Sequence, residues 1–131
     1  MWLTFDQLRS GEEFPDRRAA GFHIPGAFDK VLDINACHLQ DDLGNRIRRF
    51  IKGFGKEKGL EFYDLRENRG FLRTLMIRIA STGEVMVVMQ VGEDDQEKIG
   101  MLMDAVAGTY STPTTWRHPR ARKRAIVPVP V

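Results

Sequence analysis

Apolar residues recur along this chain at two distinct spacings, and the spacing separates its helices from its strands. From Asp42 to about Lys58, Leu43, Ile47, Phe50, Ile51 and Phe54 fall at steps of four, three, one and three, which is one face of a helix. The opposite face carries Arg46, Arg48, Arg49, Lys52, Lys56 and Lys58. Gly53, Gly55 and Gly59 weaken the last turns by roughly 1 kcal/mol each where they lie inside the helix, so its end is expected near Gly59. A second helix is read from Ile99, Leu102, Met103 and Val106, at i, i+3, i+4 and i+7, with Asp94 or Asp95 as its cap and Gly108 at its end.

Extended segments are bounded by turn residues. Phe71–Ile79 and Val85–Val91 flank Ser81-Thr82-Gly83 and read as a hairpin; the second is apolar on both faces, as in a central strand covered by helix. Ala19–Ile24 and Lys30–Ile34 form two more strands, separated by Pro25-Gly26-Ala27-Phe28-Asp29 with its turn-forming Pro-Gly pair. Phe62–Leu65 is a short edge strand, and Thr4 caps a short helix over residues 4–9 with Gly11 beyond its end. This order lacks the regular β-α alternation of a cofactor-binding doubly wound sheet. It predicts an α+β class, an antiparallel sheet with about two main helices packed on one face. The expected core is Ile47, Phe50, Ile51, Phe54, Leu75, Ile77, Val87, Met89, Leu102 and Val106.

A length of 131 residues suits one small domain. We divide it into residues 1–108 and a basic, proline-containing tail, 109–131, expected to be extended or disordered. Residues 111–131 hold +5 of a total net charge of +2, leaving the remainder near −3, so the basic pI belongs to the tail. Cys37 is the only cysteine, which excludes an intrachain disulfide and fits a reducing cytoplasm. No apolar run approaches the ~20 residues of a membrane span, and the first residues lack a basic leader, so a soluble cytoplasmic protein is expected.

No catalytic residue is identified. Ser10, Ser81, Thr82 and Ser111 have no neighbouring histidine, and the acid pairs Glu12-Glu13, Asp41-Asp42 and Asp94-Asp95 stand where carboxylates cap helices. His23 and His38 read as structural or surface residues rather than metal ligands. Cations offer more. Arg46, Arg49 and Lys52, with Lys56, line one helix face, and Arg73 and Arg78 interrupt the apolar hairpin; all are candidate phosphate contacts, with Phe62, Tyr63 and Phe71 available to stack on unpaired bases. The alternative is that Arg73 and Arg78 pair with Glu84 or Glu93 while the helix face is merely solvated. Arg117, Arg120, Arg122, Lys123 and Arg124 form a basic arm suited to nonspecific, salt-sensitive RNA binding.

The run Gly70–Val87, together with Asp33-Ile-Asn-Ala-Cys-His-Leu-Gln40, resembles the central domain of the RNA 5-methyluridine methyltransferases over roughly residues 2–107, and the Cys37 match favours their ribosomal RNA branch. The resemblance implies an enzyme that uses S-adenosylmethionine to methylate C5 of uridine after a cysteine attacks C6. It also implies an iron-sulfur cluster to which Cys37 would give one ligand in the full-length parent. The chain has no counterpart of the family's glycine-rich methyl-donor loop, its Asp-Pro-Pro-Arg segment or its reacting cysteine, and departs from the family pattern from about Thr109. It is therefore expected to be an inactive fragment, without cofactor of its own, that assists binding of ribosomal RNA beside a missing catalytic domain. A stand-alone RNA-binding or protein-interaction module is the alternative.

Overall fold

The computed structural model describes residues 2–4, 16–82, 84–110 and 124–129. Six strands form a single antiparallel sheet: β1 (Trp2–Thr4), β2 (Ala19–Ile24), β3 (Ala27–Asp33), β4 (Leu72–Ile79), β5 (Val85–Val91) and β6 (Arg124–Val129), in the spatial order β3-β2-β1-β4-β5-β6. Two helices, α1 (Asp42–Glu57) and α2 (Gln96–Tyr110), complete the fold. Ile47 and Ile51 from α1 and Ile99, Leu102, Met103 and Val106 from α2 share one buried cluster with Ala20, Leu75, Val85, Val87, Met89 and Val91, so both helices cover the same face of the sheet. The α+β class and its one-sided helix layer are as the sequence predicts.

Alternation explains the sheet's central hairpin. On β5, Val85, Val87, Met89 and Val91 face the helices and are buried, while Met86, Val88 and Gln90 on the opposite face are half-buried. β6 pairs along β5 from Gln90↔Arg124 to Val85↔Val129, so β5 is interior, as its two apolar faces suggest. Phe50, Phe54 and Ile77, expected in the core, pack against it only partly buried. Phe50 stacks on Phe54 at 6.1 Å and meets Tyr110 edge-on at 5.6 Å, closing the seam between the helices.

Several local expectations are corrected. Thr4 is not a helix cap: it ends β1, whose Trp2 lies opposite both Gly21 and Thr74, and pairing between two distant strands is invisible to local pattern. The rest of the helix expected at 4–9 lies outside the described residues. β3 begins at Ala27 rather than Lys30, because the turn closes over Pro25-Gly26 with Gly26 at φ 80°, a left-handed conformation that glycine adopts without a Cβ clash. Phe62–Leu65 is not a strand but contributes isolated bridges, Phe62↔Leu72 and Asp64↔Arg69. Gly108 lies inside α2, which runs on to Tyr110 because its apolar stripe continues onto Phe50. Of residues 109–131, Thr109 and Tyr110 belong to α2 and 124–129 to β6; 111–123 lie outside the described residues.

Candidate functional site

The link from β3 to α1 holds the single thiol. Asp41 caps α1, its carboxylate accepting from Leu43 N at 2.9 Å. One turn in, Asn45 reaches back to the link: its Oδ1 accepts from Cys37 N at 2.9 Å and its Nδ2 donates to Cys37 O at 3.0 Å. Both backbone polar groups of Cys37 are thus held by one side chain, and the thiol is half-buried. Arg48 was expected on the solvated face of α1, yet it is 1% exposed; its Nη2 donates to Asn35 O at 2.8 Å and Asn45 Oδ1 at 2.9 Å. The helix leans its 45/48 edge, and not only its apolar stripe, onto the link. Burial pushes the Arg48 pKa down, and the nearby Cys37, as a thiolate, acts against that shift. His38 is exposed, as is Leu39 at 97%. Among the described residues no group of three or more His, Cys, Asp or Glu side chains is placed to hold a metal ion.

The expected phosphate contacts are not brought together. On α1, Lys52 is engaged by Asp33 at 2.5 Å and Arg46 by Asp42 at 3.3 Å, so part of the helix's positive charge ties it to its surroundings. Arg49 is exposed and has no ion-pair partner among the described residues. Lys56 bonds Asp16 at 2.7 Å, and Asp16 also takes Arg18 at 2.8 Å; these cations, Arg18 foremost, hold the Asp16 carboxyl well below the usual carboxylate range. Arg73 is half-buried with its guanidinium 4.8 Å from the centre of the Tyr63 ring, rather than paired with Glu84 or Glu93. Arg78 is exposed beside Met76 on the sheet face turned away from the helices, whereas Arg49 belongs to the helix layer. Arg124 opens β6, and Arg117, Arg120, Arg122 and Lys123 lie outside the described residues.

The aromatics expected to stack on bases are core residues. Phe62, Tyr63 and Phe71 are 3%, 6% and 0% exposed, because the link from α1 to β4 folds inward beneath them. A Cβ on Gly92 would lie 2.7 Å from the Tyr63 ring, so this glycine admits the ring. Among the described residues the exposed phenylalanine rings are instead Phe22, at 42%, and Phe28, at 72%, on the β2–β3 hairpin, with Leu32 directly opposite Phe22. Arg66 reaches this hairpin from the α1–β4 link and bridges to Asp29, holding that carboxyl below its ordinary range. The available signal was the turn itself: aromatics flanking a Pro-Gly tip leave too little chain to cover them.

No family model matches the chain. A protein of Bacteroides thetaiotaomicron named "uncharacterized RNA methyltransferase" is 44% identical over 112 residues, 83% of this chain and 25% of the relative. A Porphyromonas gingivalis protein of the same name is 43% identical over 114 residues, 83% of this chain and 24% of the relative. The chain is similar over most of its own length to proteins named RNA methyltransferases. A third such protein, from Chlorobaculum tepidum, is 40% identical over 86 residues. The chain spans about a quarter of the length of the first two curated proteins it matches. No helix among its described residues is long and apolar enough to cross a membrane.

Proposed function

We infer that the chain is the RNA-contacting part of a longer methyltransferase that transfers a methyl group from S-adenosylmethionine to C5 of a uridine in ribosomal RNA. The observation that carries this reading is the 44% identity over 112 residues to a protein named RNA methyltransferase. The uridine-C5 type is supported by the Asp33–Gln40 and Gly70–Val87 runs, which resemble that family's central domain.

The residues present do not fit a methyl-donor site. Nucleoside cofactors of this class sit at the carboxyl ends of parallel strands beside a glycine-rich loop, and among the described residues every pair of neighbouring strands is antiparallel. We therefore assign the methyl donor and the reacting cysteine to the remainder of the longer protein and derive no step through them. What the chain offers RNA is the β2–β3 hairpin, where Phe22 and Phe28 are exposed for stacking on unpaired bases and the Arg66 side chain, 65% exposed, adds positive charge beside them. Arg49 adds a phosphate contact from the helix layer. A half-buried thiol beside a buried cation fits one ligand position of an anionic iron-sulfur group. Such a group normally takes four thiolates, so the others would come from elsewhere in the longer protein.

The test is a strain of the source organism with the gene deleted, its ribosomal RNA digested to nucleosides and quantified by mass spectrometry. Loss of 5-methyluridine, restored by the intact gene, is the expected result. Unchanged 5-methyluridine in ribosomal RNA would sink the reading.

A further inference from the structure

The link from α1 to β4 lines a cavity of about 280 Å³. That is close to the lower bound of roughly 300 Å³ for small-molecule sites, so it suits one small ligand. Leu60 and Phe62 line it although both are buried, which makes its floor apolar. Gly59, at φ 66°, lines it as well, and a Cβ there would meet nothing within 4 Å. The wall is fixed before any ligand arrives. Asp64 N donates to Arg69 O at 2.7 Å and Arg69 N to Asp64 O at 3.3 Å, while Asp64 Oδ1 accepts from Arg66 N at 2.9 Å and Glu67 N at 3.2 Å.

The charged residues lining the cavity are Arg18, Glu61, Asp64 and Arg69. Asp64 is occupied by its own loop, and Arg18 Nε donates to Asp16 at 2.8 Å. Arg69 and Glu61 are exposed, and among the described residues neither side chain makes a hydrogen bond or an ion pair. The cavity therefore offers an unanswered guanidinium, an unanswered carboxylate and an apolar floor. A ligand that satisfies all three carries an anionic group, N–H donors and a flat apolar body, which is the make-up of a nucleotide. A carboxylate only accepts hydrogen bonds. Of the four RNA bases, guanine alone sets two donors side by side, N1–H and the N2 amino group, where a single carboxylate meets both.

We propose that this cavity takes one unpaired guanosine nucleotide of RNA, with the base over Leu60 and Phe62, its donors on Glu61 and its phosphate on Arg69. This rests on the reading of the chain as RNA-contacting, and it adds a second contact and a base preference. The same loop sends Arg66 to Asp29 on the β2–β3 hairpin, which joins the cavity wall to the surface assigned to RNA.

The experiment follows backbone amide shifts of the chain by NMR during titration with guanosine monophosphate, guanosine, ribose 5-phosphate and uridine monophosphate. Guanosine monophosphate should give saturable shifts at residues 59–64 and 69. It should bind about fivefold more tightly than guanosine, the factor a unit charge at contact distance supplies in water, and more tightly than uridine monophosphate. Arg69→Gln should weaken guanosine monophosphate by about the same fivefold and leave guanosine unchanged. Glu61→Gln should weaken both and leave ribose 5-phosphate unchanged. Both residues are exposed, so both variants should keep the fold, checked by circular dichroism. Absence of saturable shifts at these residues would overturn the proposal. So would uridine monophosphate binding as tightly as guanosine monophosphate, or Arg69→Gln weakening guanosine as much as its phosphate. A uridine pentanucleotide with guanosine at its centre should shift the same amides; shifts from the mononucleotide alone would overturn the assignment to RNA. The nucleoside measurement does not depend on these titrations, so either reading can fail alone.

Discussion

At the scale of single residues, exposure decides which rings the proposed RNA contact can use, and it favours Phe28 over the aromatics that stand nearest the cations in sequence. Stacking on one base contributes about 1–3 kcal/mol, so Phe28→Ala should weaken binding of a uridine-rich oligonucleotide about tenfold, read by fluorescence anisotropy, with no change in melting temperature because the ring is 72% exposed. Phe71→Ala should do the reverse, lowering stability by about 3–5 kcal/mol as expected for a fully buried ring. Asp16 tests the electrostatics. Its carboxyl is held below the usual range by Arg18 and Lys56, so its contribution is present above the unfolded value of about 3.9 and is lost as pH falls toward the folded value. The stability gap between wild type and Asp16→Asn should therefore be constant from pH 7 to about pH 5 and narrow below it, in thermal melts across that range. A gap that widens on acidification would contradict the assigned pairing.

At the scale of elements, α1 shows two glycines of equal propensity with opposite consequences. A Cβ at Gly53 would meet nothing within 4 Å, whereas at Gly55 it would lie 2.5 Å from Leu72 Cδ1 and 3.2 Å from Phe62 Cε1. Gly53→Ala should stabilise by up to about 1 kcal/mol through helix propensity alone. Gly55→Ala gains the same propensity but overpacks a core in which Leu72 is 0% exposed and has nowhere to move. The overpacking cost of about 1–3 kcal/mol exceeds the gain. Urea denaturation of the two variants should displace the midpoint in opposite directions. Periodicity alone treats these glycines alike, and it also put Arg48 with the solvated cations of α1. Which polar position of an amphipathic helix is buried depends on what lies beside it, here the Cys37 link.

At the scale of the whole molecule, the two ends of the described chain are strands of one sheet, with β1 at its centre and β6 at one edge. A chain ending at residue 110 would lack β6 and leave the edge of β5 that faces away from β4 unpaired from Val85 to Gln90. An apolar edge of that kind recruits other chains, so the shortened protein should melt lower and self-associate in light scattering. An unaltered melting temperature and a monomer would show that β6 adds nothing. The class, both helices, both hairpins and most of the core were legible in sequence, because each rests on contacts between near neighbours or on a repeating face: Ile47 and Ile51 on α1, Leu102 and Val106 on α2, Val87 and Met89 on β5. The Gly70–Val87 and Asp33–Gln40 runs likewise pointed to RNA methyltransferases, the name its curated relatives carry. Only the tertiary structure decided the rest. The insertion of β1 between β2 and β4, the return of residues 124–129 to β5, the burial of Phe62, Tyr63 and Phe71, and the bonding of Asn45 to Cys37 and of Arg48 to Asn35 join residues whose neighbours in space are distant or irregular in sequence. Local spacing carries no record of such partners, since they are selected by how whole elements pack.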